Sequence, residues 1–142
     1  MAHDGQYDLM IETPVMKDIL ALTQQAVKPL ETLNTKAINN LRELVTLDNK
    51  VSSSLIETHQ SAAHGVAWLA TYTESIRQMV KWGEKVSEQN KFGQTEQLLL
   101  QIAVSEYLGQ ILGGIMMSQG EIFRLNDIGL TTLDLSEFQT QA

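Results

Sequence analysis

Apolar residues recur along this chain in steps of three and four. The first run, Val15, Ile19, Leu22, Ala26, Leu30, Leu33, Ala37, Leu41 and Leu44, keeps that rhythm throughout, which places its members on one face of a helix. Thr13 offers a capping hydroxyl, Pro14 suits the first helical position and Asp18 suits the positive end, so the helix is expected to open at Pro14. Pro29 interrupts the run without changing its phase. A mid-helix proline loses a hydrogen bond and clashes with the preceding turn, so a kink is expected there, with a true break as the alternative.

Asp48, Asn49 and Ser52 to Ser54 then mark a turn or a weak helix start. A second stripe follows through Leu55, His59, Ala62, Val66, Leu69, Thr73, Ile76, Val80 and Gly83, and the polar stretch from Ser87 to Gly93 should close it. The third stripe opens near Thr95 and presents Leu98, Ile102, Leu108, Ile111, Leu112, Ile115 and Met116, widened by Leu99 and Leu100. It reads as the most buried element. Beyond Gly120 the pattern weakens: Asn126 to Gly129 reads as a turn, and a short helix from Leu133 to Phe138 is the last expected element.

The fold class that follows is all-α, an antiparallel up-and-down bundle of three long helices plus a fourth, shorter element. One domain is expected over residues 1–142, with 1–12 a loose lead-in and 126–142 a weakly structured tail. Three stripes facing each other leave little margin against chain entropy. The fourth element is therefore sought in a detached half of the first helix, in the tail, or in a partner subunit.

Ten basic residues stand against seventeen acidic ones, a net charge of -7. Nucleic acid and anionic membrane surfaces need a clustered basic face, so neither is an expected partner. There is no cysteine, which removes disulfides, thiolate metal sites and cysteine nucleophiles and fits a cytoplasmic protein. The stretch from Leu98 to Met117 is interrupted by Gln101, Ser105, Glu106 and Gln110, so it reads as a buried helix and not as a membrane span.

Candidate chemistry is sparse. The Glu-x-x-His spacing of a di-iron bundle is missing, because Ile56 precedes His59 and Ser61 precedes His64 by three, and no metal site is expected. His59 and His64 are five apart and diverge by about 140° around a helix, too far to share an ion. His59 is expected as a partly buried ring bonded to a nearby carbonyl or carboxylate. Glu106 sits among apolar neighbours, and Gln101, Ser105 and Gln110 suggest a polar seam beside it. Gly109 and Gly113 lie one turn apart with Ser105 one turn earlier, so a second helix, a subunit or a cofactor could approach closely there. Trp68, Tyr72 and Trp82 suit core or interface anchors.

The runs AAHGVAWLATYTESIRQMVKWGEKV and NKFGQTEQLLLQIAVSEYLGQILGGIMMSQGEIFRL together resemble the N-terminal helical extension of bacterial acyl-CoA dehydrogenases, most closely those acting on methylsuccinyl-CoA. Members of that family are FAD-dependent and oxidise an acyl-CoA thioester between its α and β carbons. Two fragments also resemble motifs of the family's C-terminal four-helix domain. Phe92-Gly93 matches the end of its arginine-x-x-phenylalanine-glycine motif, with Gln89 where the flavin-contacting arginine would stand. Gln110, Gly113 and Gly114 match its glutamine-x-x-glycine-glycine motif, which approaches FAD across a dimer interface.

No residue matches the family's catalytic glutamate, and its β-barrel domain has no counterpart. The resemblance implies an accessory domain that packs on the catalytic body of such an enzyme and neither holds FAD nor catalyses dehydrogenation by itself. The alternatives are a free-standing helical interaction protein that forms a homodimer, and a bundle that binds a small ligand near Gly109 and Gly113.

Overall fold

The computed structural model describes residues 14–141; Thr13 and the lead-in of residues 1–12 lie outside them. The first helix, α1, spans Ile19–Val45 and runs unbroken through Pro29. It opens four to five residues later than the capping signals suggest. The side chain of Gln101 explains the delay: its Oε1 accepts from the Met16 N–H at 2.7 Å and its Nε2 donates to the Pro14 carbonyl at 3.1 Å. Those backbone groups are held by a side-chain amide outside the helix. Asp18, in the left-handed region at φ 57°, then turns the chain into α1 without a side-chain cap. Ile19, Ala26, Leu30, Leu33 and Ala37 are buried as the stripe requires, whereas Leu22 and Leu44 are exposed and Thr23 and Val45 are buried in their place.

Asp48 and Asn49 both take positive φ, the geometry of a two-residue hairpin turn. They join β1 (Thr46–Leu47) to β2 (Lys50–Val51), with Thr46 opposite Val51. The second stripe is not one helix. A six-residue α2, Ser53–Thr58, capped by Ser52, ends at His59, and α3 restarts at Gln60 and continues to Glu88. From Val66 onward the stripe is correct: Val66, Leu69, Thr73, Ile76, Val80 and Gly83 are all buried. Asn90 at φ 56° ends α3 in a Schellman arrangement, with Lys91 N–H bonded to the Val86 carbonyl and Asn90 N–H to that of Ser87.

The third long helix, α4, spans Gln94–Gly113, and the Glu96 carboxylate accepts from the Gly93 N–H at its start. It stops before Ile115 and Met116, which pair as β3 (Ile115–Met116) with β4 (Ile122–Phe123). The tail, expected to be weakly structured, forms a 3-10 turn over Leu125–Ile128 and a helix α5 over Thr132–Gln141. Ile128, Leu130 and Phe138 from it are buried in the core.

The architecture is the all-α bundle read from the periodicity, with two short hairpins added. The fourth element is the tail, held to α1 by Phe138 and by Lys36 Nζ, which lies 2.6 Å from Asp134 and 3.7 Å from Glu137. Helices α1, α3 and α4 meet around Leu30, Leu69, Ile76, Leu100 and Ile111. Among the described residues no helix approaches Gly109 or Gly113 closely, whereas two glycines of α3 are closely packed. A Cβ on Gly65 would meet the Phe123 ring, and one on Gly83 would sit 3.1 Å from both Leu100 and Leu20.

Candidate functional site

Helix α4 is the element whose burial differs most from expectation. It buries Leu100, Val104 and Ile111, while Leu99 remains 51% exposed, Ile102 56% and Leu112 40%. Consecutive residues of a helix diverge by about 100°, so Leu98, Leu99 and Leu100 cannot all face one neighbour. A helix that is apolar on every side is normally surrounded. Here α3 and α1 cover only part of its circumference.

The outward face has its own helical spacing, running through Leu99, Ile102, Glu106, Gly109 and Gly113, all exposed. Met116, 63% exposed, and Ile122 extend it onto the second hairpin. Added Cβ atoms on Gly109 and Gly113 would meet nothing within 4 Å. No neighbour among the described residues uses the space that these glycines leave. Beside this face, between α4 and the start of α1, lies an apolar cleft of about 130 Å³ lined by Met16, Ile19, Ala26, Val104, Ser105 and Leu108.

The polar residues of α4 do not form one seam. Gln101 and Ser105 turn toward the start of α1, whereas Gln110 faces α3, where its Oε1 accepts from the Tyr72 hydroxyl at 2.7 Å. Tyr72 is buried, and its phenol pKa is pushed up by desolvation and by the neighbouring Tyr107. Its ring lies 4.6 Å from that of Tyr107 and edge-on to Trp68 at 5.9 Å. Trp68 Nε1 in turn donates to His64 Nε2 at 3.0 Å. Trp68 and Trp82 are half-buried against the core. This aromatic row clamps α3 to α4 beside the bare face.

Other candidates lack a chemical constellation. Glu106 is exposed and makes no hydrogen bond or ion pair among the described residues. The half-buried His59 ring has no carbonyl or carboxylate partner there and lines a cleft of about 530 Å³ with Glu57, Glu121 and Asp127. Among the described residues, no three His, Asp or Glu side chains are grouped to hold a metal ion, and no helix is long and apolar enough to cross a membrane.

Of the residues matching the glutamine-x-x-glycine-glycine motif, Gly113 is exposed and Gly114 half-buried. Gln110 is committed to Tyr72, Ile111 is buried, and a Cβ at Gly114 would strike Ile122. The helix from Gln94 to Gly113 carries no Lys, Arg or His.

No protein-family model matches the chain. It is 48% identical over 121 residues to the (2S)-methylsuccinyl-CoA dehydrogenase of Cereibacter sphaeroides, a match covering 85% of this chain and 22% of that enzyme. The chain is a relative of one segment of that dehydrogenase. The resemblance to a methylsuccinyl-CoA dehydrogenase read from the sequence is thereby shown. A stretch of 121 residues in a chain of 142 takes in residues 22–121 wherever it starts. The matched segment therefore includes α3, α4 and most of the exposed face.

Sequence reasoning identified Gly109, Gly113 and Ser105 as an approach point but missed Leu99, Ile102 and Leu112 as surface, having assigned them to the core. The available signal was the apolar character of α4 on several sides. Glu106, the one charged residue between Leu98 and Gly113, lies on the outward face and marks it.

Proposed function

We propose that this chain is an accessory helical domain of a FAD-dependent acyl-CoA dehydrogenase, packing on the catalytic body and supplying no catalytic group. The observation that carries the reading is the 48% identity to a segment making up 22% of a dehydrogenase. An exposed apolar helix face, with no grouped ionisable residues behind it, supports a role in packing over one in chemistry. The body it serves holds the FAD and acts on an acyl-CoA, in the same polypeptide or as a separate subunit of a cytoplasmic enzyme.

The test combines the purified chain with the remainder of the Cereibacter sphaeroides enzyme lacking the matched segment. Alone, the chain should show no flavin absorbance and no acyl-CoA oxidation; with the remainder it should co-elute stoichiometrically. Stoichiometric FAD and turnover from the chain by itself would overturn the reading. Light scattering on the isolated chain tests the alternative, a free-standing homodimer.

A further inference from the structure

We infer that the outer face of α4 is a seat for one apolar helix of the dehydrogenase body, notched at Gly109 and Gly113 and matched to a cation opposite Glu106. This rests on the accessory-domain reading and adds the surface and the chemistry of its partner. Three observations select the surface. The tail, the one described element free to cover a fourth side, lies on α1, where Phe138 is buried and Lys36 meets Asp134. Leu99, Ile102 and Leu112 thus remain in solvent, on the side of α4 opposite buried Leu100, Val104 and Ile111.

The glycines supply the second observation. Glycine inside a helix is disfavoured relative to alanine, and a Cβ at Gly109 or Gly113 would touch nothing among the described residues. Their smallness serves no internal packing. It serves a backbone arriving from outside, which can come closer over glycine than over any side chain.

The third observation is charge, and it decides between occupants. Glu106 lies midway along the face from Leu99 to Gly113 and is unpaired among the described residues, and α4 contains no basic residue. A second copy packed face to face about a two-fold axis centred on this stripe would bring the two Glu106 carboxylates together with no cation on either helix. A helix of the body has no such symmetry and can place Arg or Lys there. The body is also the larger source of surface, since the matched segment is 22% of the related enzyme.

The experiment titrates the truncated dehydrogenase with the full chain and four variants whose folding is checked by circular dichroism. Ile102→Arg and Gly109→Leu should weaken binding roughly 100-fold, and Glu106→Lys about tenfold. A double variant of the first hairpin, Leu47→Arg with Val51→Arg, removes other exposed apolar residues and should stay within about threefold. If the hairpin variant loses binding while the α4 variants keep it, the seat is wrong and the accessory-domain reading stands. If the unmodified chain does not bind the body at all, that reading fails. Self-association of the chain that is abolished by Ile102→Arg would make a second copy the occupant and overturn the inference.

Discussion

At Gly65 an added Cβ would lie 2.0 Å from the Phe123 ring, and that ring is 98% buried between α3 and the second hairpin. Gly65→Ala should therefore destabilise the chain by about 1–3 kcal/mol through overpacking, read as a lower urea midpoint at unchanged slope. Gly109→Ala should do the opposite. Its Cβ enters open space, so the isolated chain gains helix propensity worth up to about 1 kcal/mol. A single residue type on two helices thus reports which face is packed and which is bare. Asp134 provides a pH-dependent counterpart. The Lys36 ammonium, helped by the Thr131 N–H and hydroxyl, holds its carboxyl well below the usual carboxylate range. A pKa depressed by folding contributes stability that is complete above the unfolded value of about 3.9 and is lost as pH falls through the folded value. Lys36 mirrors this at the alkaline end. Its pKa is raised chiefly by Asp134, so its contribution is complete below about 10.4 and is lost as pH rises through the folded value. Asp134→Asn should flatten the acid limb of the melting temperature between pH 2 and 5.

Elements depend on a few such residues. Helix α5 is ten residues long, too short to persist without tertiary support. Phe138, with 4% of its surface exposed, supplies that support in a seat beside Pro29 and Leu33. Phe138→Ala should cost about 3 kcal/mol and leave the last ten described residues open to limited proteolysis. Within α1, Pro29 lacks an N–H for the preceding turn, yet the helix continues from Ile19 to Val45. Packing on both sides of the proline outweighs its cost of roughly 3 kcal/mol. At the start of the same helix a different balance prevails: local capping signals favoured Pro14, but two hydrogen bonds to Gln101 hold that segment outside the helix.

For the whole molecule, the consequence of the bare face is linkage. A partner that binds the folded chain and not the unfolded one stabilises it by mass action. The catalytic body at about 100 times its dissociation constant should raise the chain's unfolding free energy by about 2.7 kcal/mol. Thermal melts of the mixture should show that gain for the unmodified chain and lose it for Ile102→Arg. The net charge of -7 makes copies repel one another at low salt and favours cationic partners.

The one-dimensional pattern was enough to determine the helical class, the α3 stripe from Val66 to Gly83, and the turns at Asp48–Asn49 and near Gly93. Those features depend on residue spacing or on side-chain type, both of which a linear chain states directly. The tertiary structure decided which side of α4 is interior, where α1 begins, that His59 divides α2 from α3, and that the tail completes the bundle. Each of these is a competition between distant groups. Gln101 reaches the Pro14 and Met16 backbone, and Phe138 reaches α1, across more than eighty residues of chain. With leucine and isoleucine on several sides of α4, a single charge, Glu106, is all that distinguishes the face the fold leaves open.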